Sequence, residues 1–341
     1  MRALIYGISG QDGAYLAEFL LRQGYEVCGA SRDAEIARSE NLRRLGIAEQ
    51  VKIYSTTLTD FRSVLISLDQ AAPDEIYNLA GQSSVSLSFE QPVETMHSIA
   101  HGTLNLLECV RYRNAKCKFY NASSSECFGD VGRSRANEEM PFRPRSPYGV
   151  AKSAAHWQVV NYRESYGIFA CNGILFNHES PLRPPRFVTR KVISAVAAIA
   201  RGGKEKLTLG CTSILRDWGW APEYVQAMWR MLQQPKAEDF VIATGESHSL
   251  QEFVDEAFAC IGEESAQYVA RDERMLRPSE IQYSYADVRK AEKTLGWRAK
   301  NKMSDVVRFM FEAELALCEA ESHPWQSVRK PKIRRALKST A

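Results

Sequence analysis

Apolar positions in the first half of the chain follow two alternating rhythms. Short, largely apolar runs at Ala3–Tyr6, Tyr25–Ala30, Val51–Tyr54, Glu75–Leu79 and Lys118–Ala122 read as strands. Between them, Ala14–Gly24, Phe61–Gln70 and Gly102–Arg113 repeat their apolar residues at helical spacing. Strands that alternate with amphipathic helices predict an α/β fold: a Rossmann-type, doubly wound parallel sheet covered on both faces. Ligands of such sheets sit outside the carboxyl ends of the strands, so polar motifs matter most where a strand stops. Beyond residue 170 the pattern loosens. Arg183-Pro184-Pro185-Arg186 reads as a loop, and Lys191–Arg201, Glu223–Leu232 and Leu250–Ile261 as helices. The expected organisation is a dinucleotide-binding unit over 1–170 and a smaller substrate-binding lobe over 171–322, with some segments returning to the sheet. A basic tail over 323–341 completes it.

The first strand runs into Gly7-Ile8-Ser9-Gly10-Gln11-Asp12-Gly13. Glycines permit a tight turn and close approach of backbone to a pyrophosphate, and the helix that follows offers unpaired N–H groups to that anion. In a strand–turn–helix setting this motif predicts dinucleotide binding rather than a merely structural turn. The second strand ends in Ser31-Arg32-Asp33. Ser31 and Arg32 can donate to a 2′-phosphate, which favours NADP, whereas Asp33 pulls towards NAD. Arg38, Arg43 and Arg44 either extend that positive field or form an ordinary basic helix face.

Composition narrows the class. The chain has 341 residues, of which 45% are hydrophobic and 25% charged, as in an ordinary globular protein. A formal net charge of +3 gives no argument for nucleic acid. No apolar stretch approaches membrane-spanning length, and Met1–Gly7 is too short an apolar run for a secretory leader, so a cytoplasmic location is expected. Eight cysteines are scattered, without Cys-x-x-Cys or a metal-like cluster with histidine, which favours reduced thiols and no metal. The tail carries Arg329, Lys330, Lys332, Arg334, Arg335 and Lys338 and reads as a solvated terminus or a polyanion-binding arm.

Two further motifs carry chemistry. Ser146-Pro147-Tyr148-Gly149-Val150-Ala151-Lys152 reads as a helix start, with Ser146 capping and Pro147 in the first turn. Tyr148 and Lys152 then share a face one turn apart. A lysine beside a phenol is expected to lower its pKa and make it a base for a hydroxyl whose carbon gives up hydride. Asn121-Ala122-Ser123-Ser124-Ser125-Glu126 follows a predicted strand, so its hydroxyls and carboxylate fall at the ligand edge. Taken alone, that fragment could equally be a capped turn.

At these residues the chain resembles the extended short-chain dehydrogenase/reductase superfamily, and within it the GDP-mannose 4,6-dehydratases. The resemblance rests also on Tyr77-Asn78-Leu79-Ala80-Gly81-Gln82-Ser83, Phe176-Asn177-His178-Glu179-Ser180-Pro181, Arg216-Asp217-Trp218-Gly219 and Phe240–Glu246. It implies that Tyr148 and Lys152 are the hydride-transfer pair, that Glu126 is the base at C5 of the sugar, and that Ser124 stands in for a threonine assisting at C4 and C6. It implies cofactor contacts from Gly7, Gly10, Gln11, Asp12, Gly13, Arg32, Leu79, Ala80, Ser83, His178 and Arg183. Thr57 and Leu58 occupy the position where the family meets the adenine with an aspartate. Arg216, Arg277 and Glu280 match positions that hold the diphosphate and ribose of the substrate, and Gln82, Ser83, Asn177, Arg190 and Lys191 join the substrate set. Glu94, Cys211 and Leu215 depart from the family pattern.

The resemblance implies a hydro-lyase that converts GDP-mannose to GDP-4-keto-6-deoxymannose through a tightly held, recycled NADP, as a homodimer or homotetramer. A GDP-linked heptose is an alternative substrate. A GDP-4-keto-6-deoxy-sugar reductase, an epimerase or a non-catalytic NADP sensor are alternative functions. The pairing of Ser124 with Glu126 favours dehydration, because reduction and C4 epimerisation need no base at C5 there.

Overall fold

The computed structural model describes residues 1–37, 40–204 and 206–322. Arg38 and the basic tail lie outside them. The strands β1 (Arg2–Tyr6), β2 (Glu26–Ser31), β3 (Lys52–Ser55), β4 (Glu75–Asn78), β5 (Lys118–Ser124), β6 (Ala170–Leu175) and β7 (Phe240–Ile242) form one sheet in the order β7-β6-β5-β4-β1-β2-β3. Every neighbouring pair is parallel. The chain winds outward from β1 to β3 and then crosses back to β4. The order therefore reverses between β1 and β4, which opens a crevice at their carboxyl ends.

Residue alternation explains the layers. Ala3 and Ile5 pack with Leu16, Leu20, Tyr224 and Met228 of helices α1 (Gln11–Arg22) and, later in the chain, Ala221–Leu232. Leu4 and Tyr6 point the other way, into Val64, Leu106 and Val159 of α2 (Phe61–Ala71), α3 (Gly102–Tyr112) and α4 (Pro147–Tyr166). Both faces are dry, as a parallel sheet requires.

The second core is smaller. It joins α5 (Val188–Ala200), α7 (Leu250–Ala259) and α8 (Met303–Ser322) through Val192, Val196, Phe253, Phe258, Val307 and Met310. The helix Ala221–Leu232, α6 here, belongs to the sheet rather than to this lobe, and so do β6 and β7. Among the described residues no helix is long and apolar enough to cross a membrane.

One polar row crosses the sheet interior. Asn78 donates to Asn121 at 3.0 Å, Asn121 to Asn172 at 2.9 Å, and Asn172 to Asp239 at 3.2 Å. Arg163 of α4 closes the row with two bonds to Asp239, at 2.8 and 2.9 Å. These asparagines are register partners on adjacent strands, on the α3/α4 face.

The helix starts differ from the sequence expectation. α1 begins at Gln11 rather than Ala14, because the chain turns into the helix at Gly10, so Gln11, Asp12 and Gly13 form its first turn. α4 begins as expected, with the Ser146 hydroxyl accepting from the Gly149 N–H at 3.0 Å.

Candidate active site

The glycine turn is shaped by the protein's own packing as much as by any ligand. Gly7 adopts φ +86°, and a Cβ there would lie 2.9 Å from the backbone of Leu79 and Ala80 on the neighbouring β4 loop. A Cβ on Gly13 would lie 2.3 Å from the Gly7 carbonyl. Gly10, by contrast, is exposed and caps α1 without any side-chain acceptor for the first N–H groups of the helix. Those N–H groups and the positive end of α1 therefore face outward at the crevice, a cradle that fits a dinucleotide pyrophosphate.

The other first-turn side chains turn inward. Asp12 accepts from His178 Nε2 at 2.8 Å and from Gln11 at 2.9 Å. His178 Nδ1 donates to the Phe176 carbonyl at 2.8 Å. Both ring nitrogens meet acceptors, an arrangement that favours the doubly protonated ring. Burial works against these charges, yet each favours the other: Asp12 is held down to about 2 and His178 is raised. Gln11 donates to the His178 carbonyl at 3.1 Å and accepts from Ser180 at 2.8 Å. The cluster fastens the segment Asn177–Glu179 to the start of α1.

Next along the crevice stand the end of β5 and the start of α4. The Ser124 hydroxyl, at the end of β5, holds back the burial-driven rise of the Tyr148 phenol. Lys152 lies 5.8 Å from the centre of the Tyr148 ring and donates to the Ala122 carbonyl at 2.6 Å. Burial lowers Lys152 to about 8. Burial also raises the Tyr148 phenol, with the Glu126 carboxylate acting in the same direction. The expected lowering of Tyr148 is therefore not its net direction: desolvation of the phenolate is the largest influence, and the Lys152 ammonium donates to Ala122. Glu126 is raised by burial, against the restraint of Arg216 and Arg277.

Those two arginines mark the far end of the cleft. Arg216 is buried and donates to Glu280 at 2.9 Å and to the Ile281 carbonyl at 2.8 Å. Arg277 reaches the same Glu280 oxygen at 3.2 Å and Ser86 at 3.3 Å. Phe187, with Arg183 3.8 Å above its ring, leads into α5, whose first turn also lacks a side-chain cap and lines the cleft. The cleft encloses about 360 Å³ and joins the catalytic groups to the arginines.

Residues 4–310 match the family described as GDP-mannose 4,6 dehydratase. The chain belongs to the GDP-mannose 4,6 dehydratase family. It is 45% identical over 329 residues to GDP-mannose 4,6 dehydratase 1 of Arabidopsis thaliana, spanning 94% of this chain and 91% of the relative. It is 43% identical over 355 residues to the GDP-mannose 4,6-dehydratase of Vibrio cholerae, spanning 94% and 95%. Among solved structures, its fold is similar to UDP-glucose 4-epimerase of Thermus thermophilus in complex with NAD. That match has a TM-score of 0.80 and 26% identity, and covers 92% of this chain and 99% of that one.

In this member of the GDP-mannose 4,6 dehydratase family the cleft brings together Ser124, Glu126, Tyr148 and Lys152. Asp12, Leu79, Ser83, His178 and Arg183 of the expected cofactor set line it, as do Asn177, Lys191, Arg216, Arg277 and Glu280 of the expected substrate set. Other expected residues sit elsewhere. Arg190 is buried in an ion pair with Glu314 of α8, away from the cleft. The Gln11 amide serves the Asp12–His178 cluster. Gln82 folds its amide onto Ser84 and Thr95, shaping the start of the helix Val85–Glu90. Ala80 packs behind the cleft in the α2/α3 core. Arg32 is exposed just past β2, while Thr57 and Leu58 follow β3, with the Leu58 carbonyl accepting from Asn105. Asp33 spends its carboxylate on the N–H groups of Glu35 and Ile36, at 2.9 and 3.1 Å, so it caps the following turn.

Sequence reading missed Ser86, Phe187 and Thr189 in the cleft wall. Ser86 has no local signal, because only the fold brings it to Arg277, 191 positions away.

Proposed function

We propose that the protein converts GDP-mannose to GDP-4-keto-6-deoxymannose with NADP held in the β1/β4 crevice. One observation carries the reading. A Tyr148/Lys152 pair and a Ser124/Glu126 pair face one cleft whose far end carries Arg216 and Arg277, in a chain of the GDP-mannose 4,6 dehydratase family. The cofactor, when bound, supplies a reversible hydride store, taking hydride from C4 of the sugar and returning it to C6.

The chain's own groups move the protons. Tyr148, as its phenolate, takes the proton of the C4 hydroxyl; Lys152, 5.8 Å from the ring, is the cation that favours the phenolate, and the Ser124 hydroxyl acts the same way, both against burial. A ketone at C4 makes the C5 proton acidic, and Glu126 removes it. Glu126 then protonates the departing C6 hydroxyl, water leaves, and the proton that Tyr148 took is given back at C5 once C6 is reduced. A carboxyl raised by burial suits that double duty, since one group must accept and then donate near neutral pH. Arg216 and Arg277 supply the charge that a nucleoside diphosphate needs. The open N–H groups of α5 add to that charge.

NADP is favoured over NAD by the end of β2. Arg32 is exposed there, while Asp33 holds two backbone N–H groups on its Oδ1. The test is incubation with GDP-mannose and no added cofactor, with products read by mass. Loss of one water with no net change in NADPH is expected. A stoichiometric need for NADPH, or turnover of a GDP-heptose but not of GDP-mannose, overturns the reading.

A further inference from the structure

Tyr148 and Lys152 are one turn apart on α4, and His156 continues the same face one turn further on. It does not line the cleft. It is buried against Phe142, with ring centres 4.7 Å apart. Its Nδ1 lies 3.2 Å from the Ser123 hydroxyl, and its Nε2 lies 3.8 Å from Asp239. The carboxylate places the ring proton on Nε2, so Nδ1 accepts from Ser123. Burial, against the pull of Asp239, lowers His156 to about 4 and keeps it neutral. With its proton committed to the ring, Ser123 accepts from the Cys127 thiol at 3.8 Å. Asp239 is itself fixed by Arg163 and Asn172.

We propose that His156 is a positioning residue for the dehydration: it holds the Ser123 hydroxyl and thereby sets the turn Ser124–Cys127 against the helix that carries Tyr148 and Lys152. The proposal rests on the function given above. Geometry favours it over simple core filling. Ser123 precedes Ser124 directly and its hydroxyl meets His156 of α4; Cys127 follows Glu126 directly and its thiol meets both that hydroxyl, at 3.8 Å, and the Gly149 carbonyl of α4, at 3.9 Å. Lys152 adds a second side-chain bond from this face to β5, at the Ala122 carbonyl. His156 therefore decides whether the phenol and the C5 base face a sugar at the correct separation, without touching the sugar.

The test compares His156→Phe, His156→Asn, Ser123→Ala and the His156→Phe/Ser123→Ala double variant in the full-length protein. Losing one buried hydrogen bond that aligns reacting groups should lower kcat roughly tenfold in either single variant, with KM for GDP-mannose within about twofold. The double variant should lose no more than either single one, because both remove the same link. His156→Asn, which keeps an acceptor where Nδ1 stood, should recover most of kcat. Wild-type kcat in folded His156→Phe, or losses that multiply to roughly a hundredfold, overturn the proposal. If His156→Phe does not fold, Ser123→Ala decides: a tenfold loss at unchanged Tm supports it and wild-type kcat refutes it. Amide exchange over residues 122–128 gives a readout independent of turnover. Faster exchange in Ser123→Ala and His156→Phe but not in His156→Asn supports the link, and uniform exchange sinks it. If the wild-type protein leaves GDP-mannose intact, the function reading fails and the exchange result alone decides the link.

Discussion

Asp12→Asn isolates the charge of the Asp12–His178 pair, since an amide oxygen can still accept from the imidazole. A carboxylate held from 3.8 down to about 2 contributes about 2 kcal/mol to folding at pH values where it is ionised in both states. Unfolding entropy for a chain of 341 residues is about 0.7 kcal/mol/K, so the variant should melt about 3 °C lower. The pH dependence has a definite sign. The Asp12 contribution is present above its ordinary pKa and is lost as pH falls towards 2. His178 is raised, so its share is complete below about 6.5 and is lost as pH rises through the folded value. The melting gap between wild type and variant should therefore be widest between about pH 4 and 6.5 and narrow on the alkaline side. Arg183 adds a smaller attraction that persists. Melting curves recorded at one scan rate from pH 5 to 9 measure the gap. A gap absent at pH 6, or constant up to pH 9, would refute the charged pair.

Three more outcomes follow from the cleft and its surroundings. Glu126→Gln should leave Tm and cofactor binding intact, lower kcat by ~10²–10⁴, and stop solvent deuterium entering C5; continued exchange there removes Glu126 from the proton path. Arg32→Glu should weaken NADPH binding roughly ten- to a hundredfold in a fluorescence titration while leaving NADH nearly unchanged, and equal losses for both would show that Arg32 does not meet a 2′-phosphate. Arg190→Met strands Glu314 in the interior and should cost about 3–5 kcal/mol of stability. Its KM for GDP-mannose should stay at the wild-type value in whatever protein folds, and a raised KM would return Arg190 to the substrate site.

Much of the sheet was legible because each early strand is an apolar run bounded by glycine or polar residues. The Tyr148/Lys152 helix was legible because Ser146 and Pro147 announce its start. What could not be read is long-range. Arg190 and Lys191 are neighbours in sequence, but a helix turns about 100° between them. One meets Glu314 and the other lines the cleft, and nothing near residue 190 signals a partner 124 positions away. β7 is three residues long and gains its identity only by pairing with β6. The net direction of the Tyr148 pKa was hidden for a related reason. Spacing reveals the lysine, but not the depth of burial that acts against it or the carbonyl that occupies it. His178 lines the cleft as expected of a ligand contact, but sequence does not show that its two nitrogens are engaged by Asp12 and Phe176.

The asparagine row has a bearing on where the chemistry is placed. A strand that slips by one residue turns each of its side chains to the opposite face. For β5 such a slip would bring Tyr120 or Ala122 to the place of Asn121, leaving Asn78 with Thr103 alone and the Asn172 side-chain oxygen without its donor in a dry interior, at about 1–3 kcal/mol for that oxygen. Ser124 and Glu126 lie three and five residues beyond Asn121. The row thus acts as an index mark: it counts out how far the strand runs before the reactive turn emerges. Small errors of alignment that a purely aliphatic sheet would absorb become, in this protein, errors of folding rather than of catalysis.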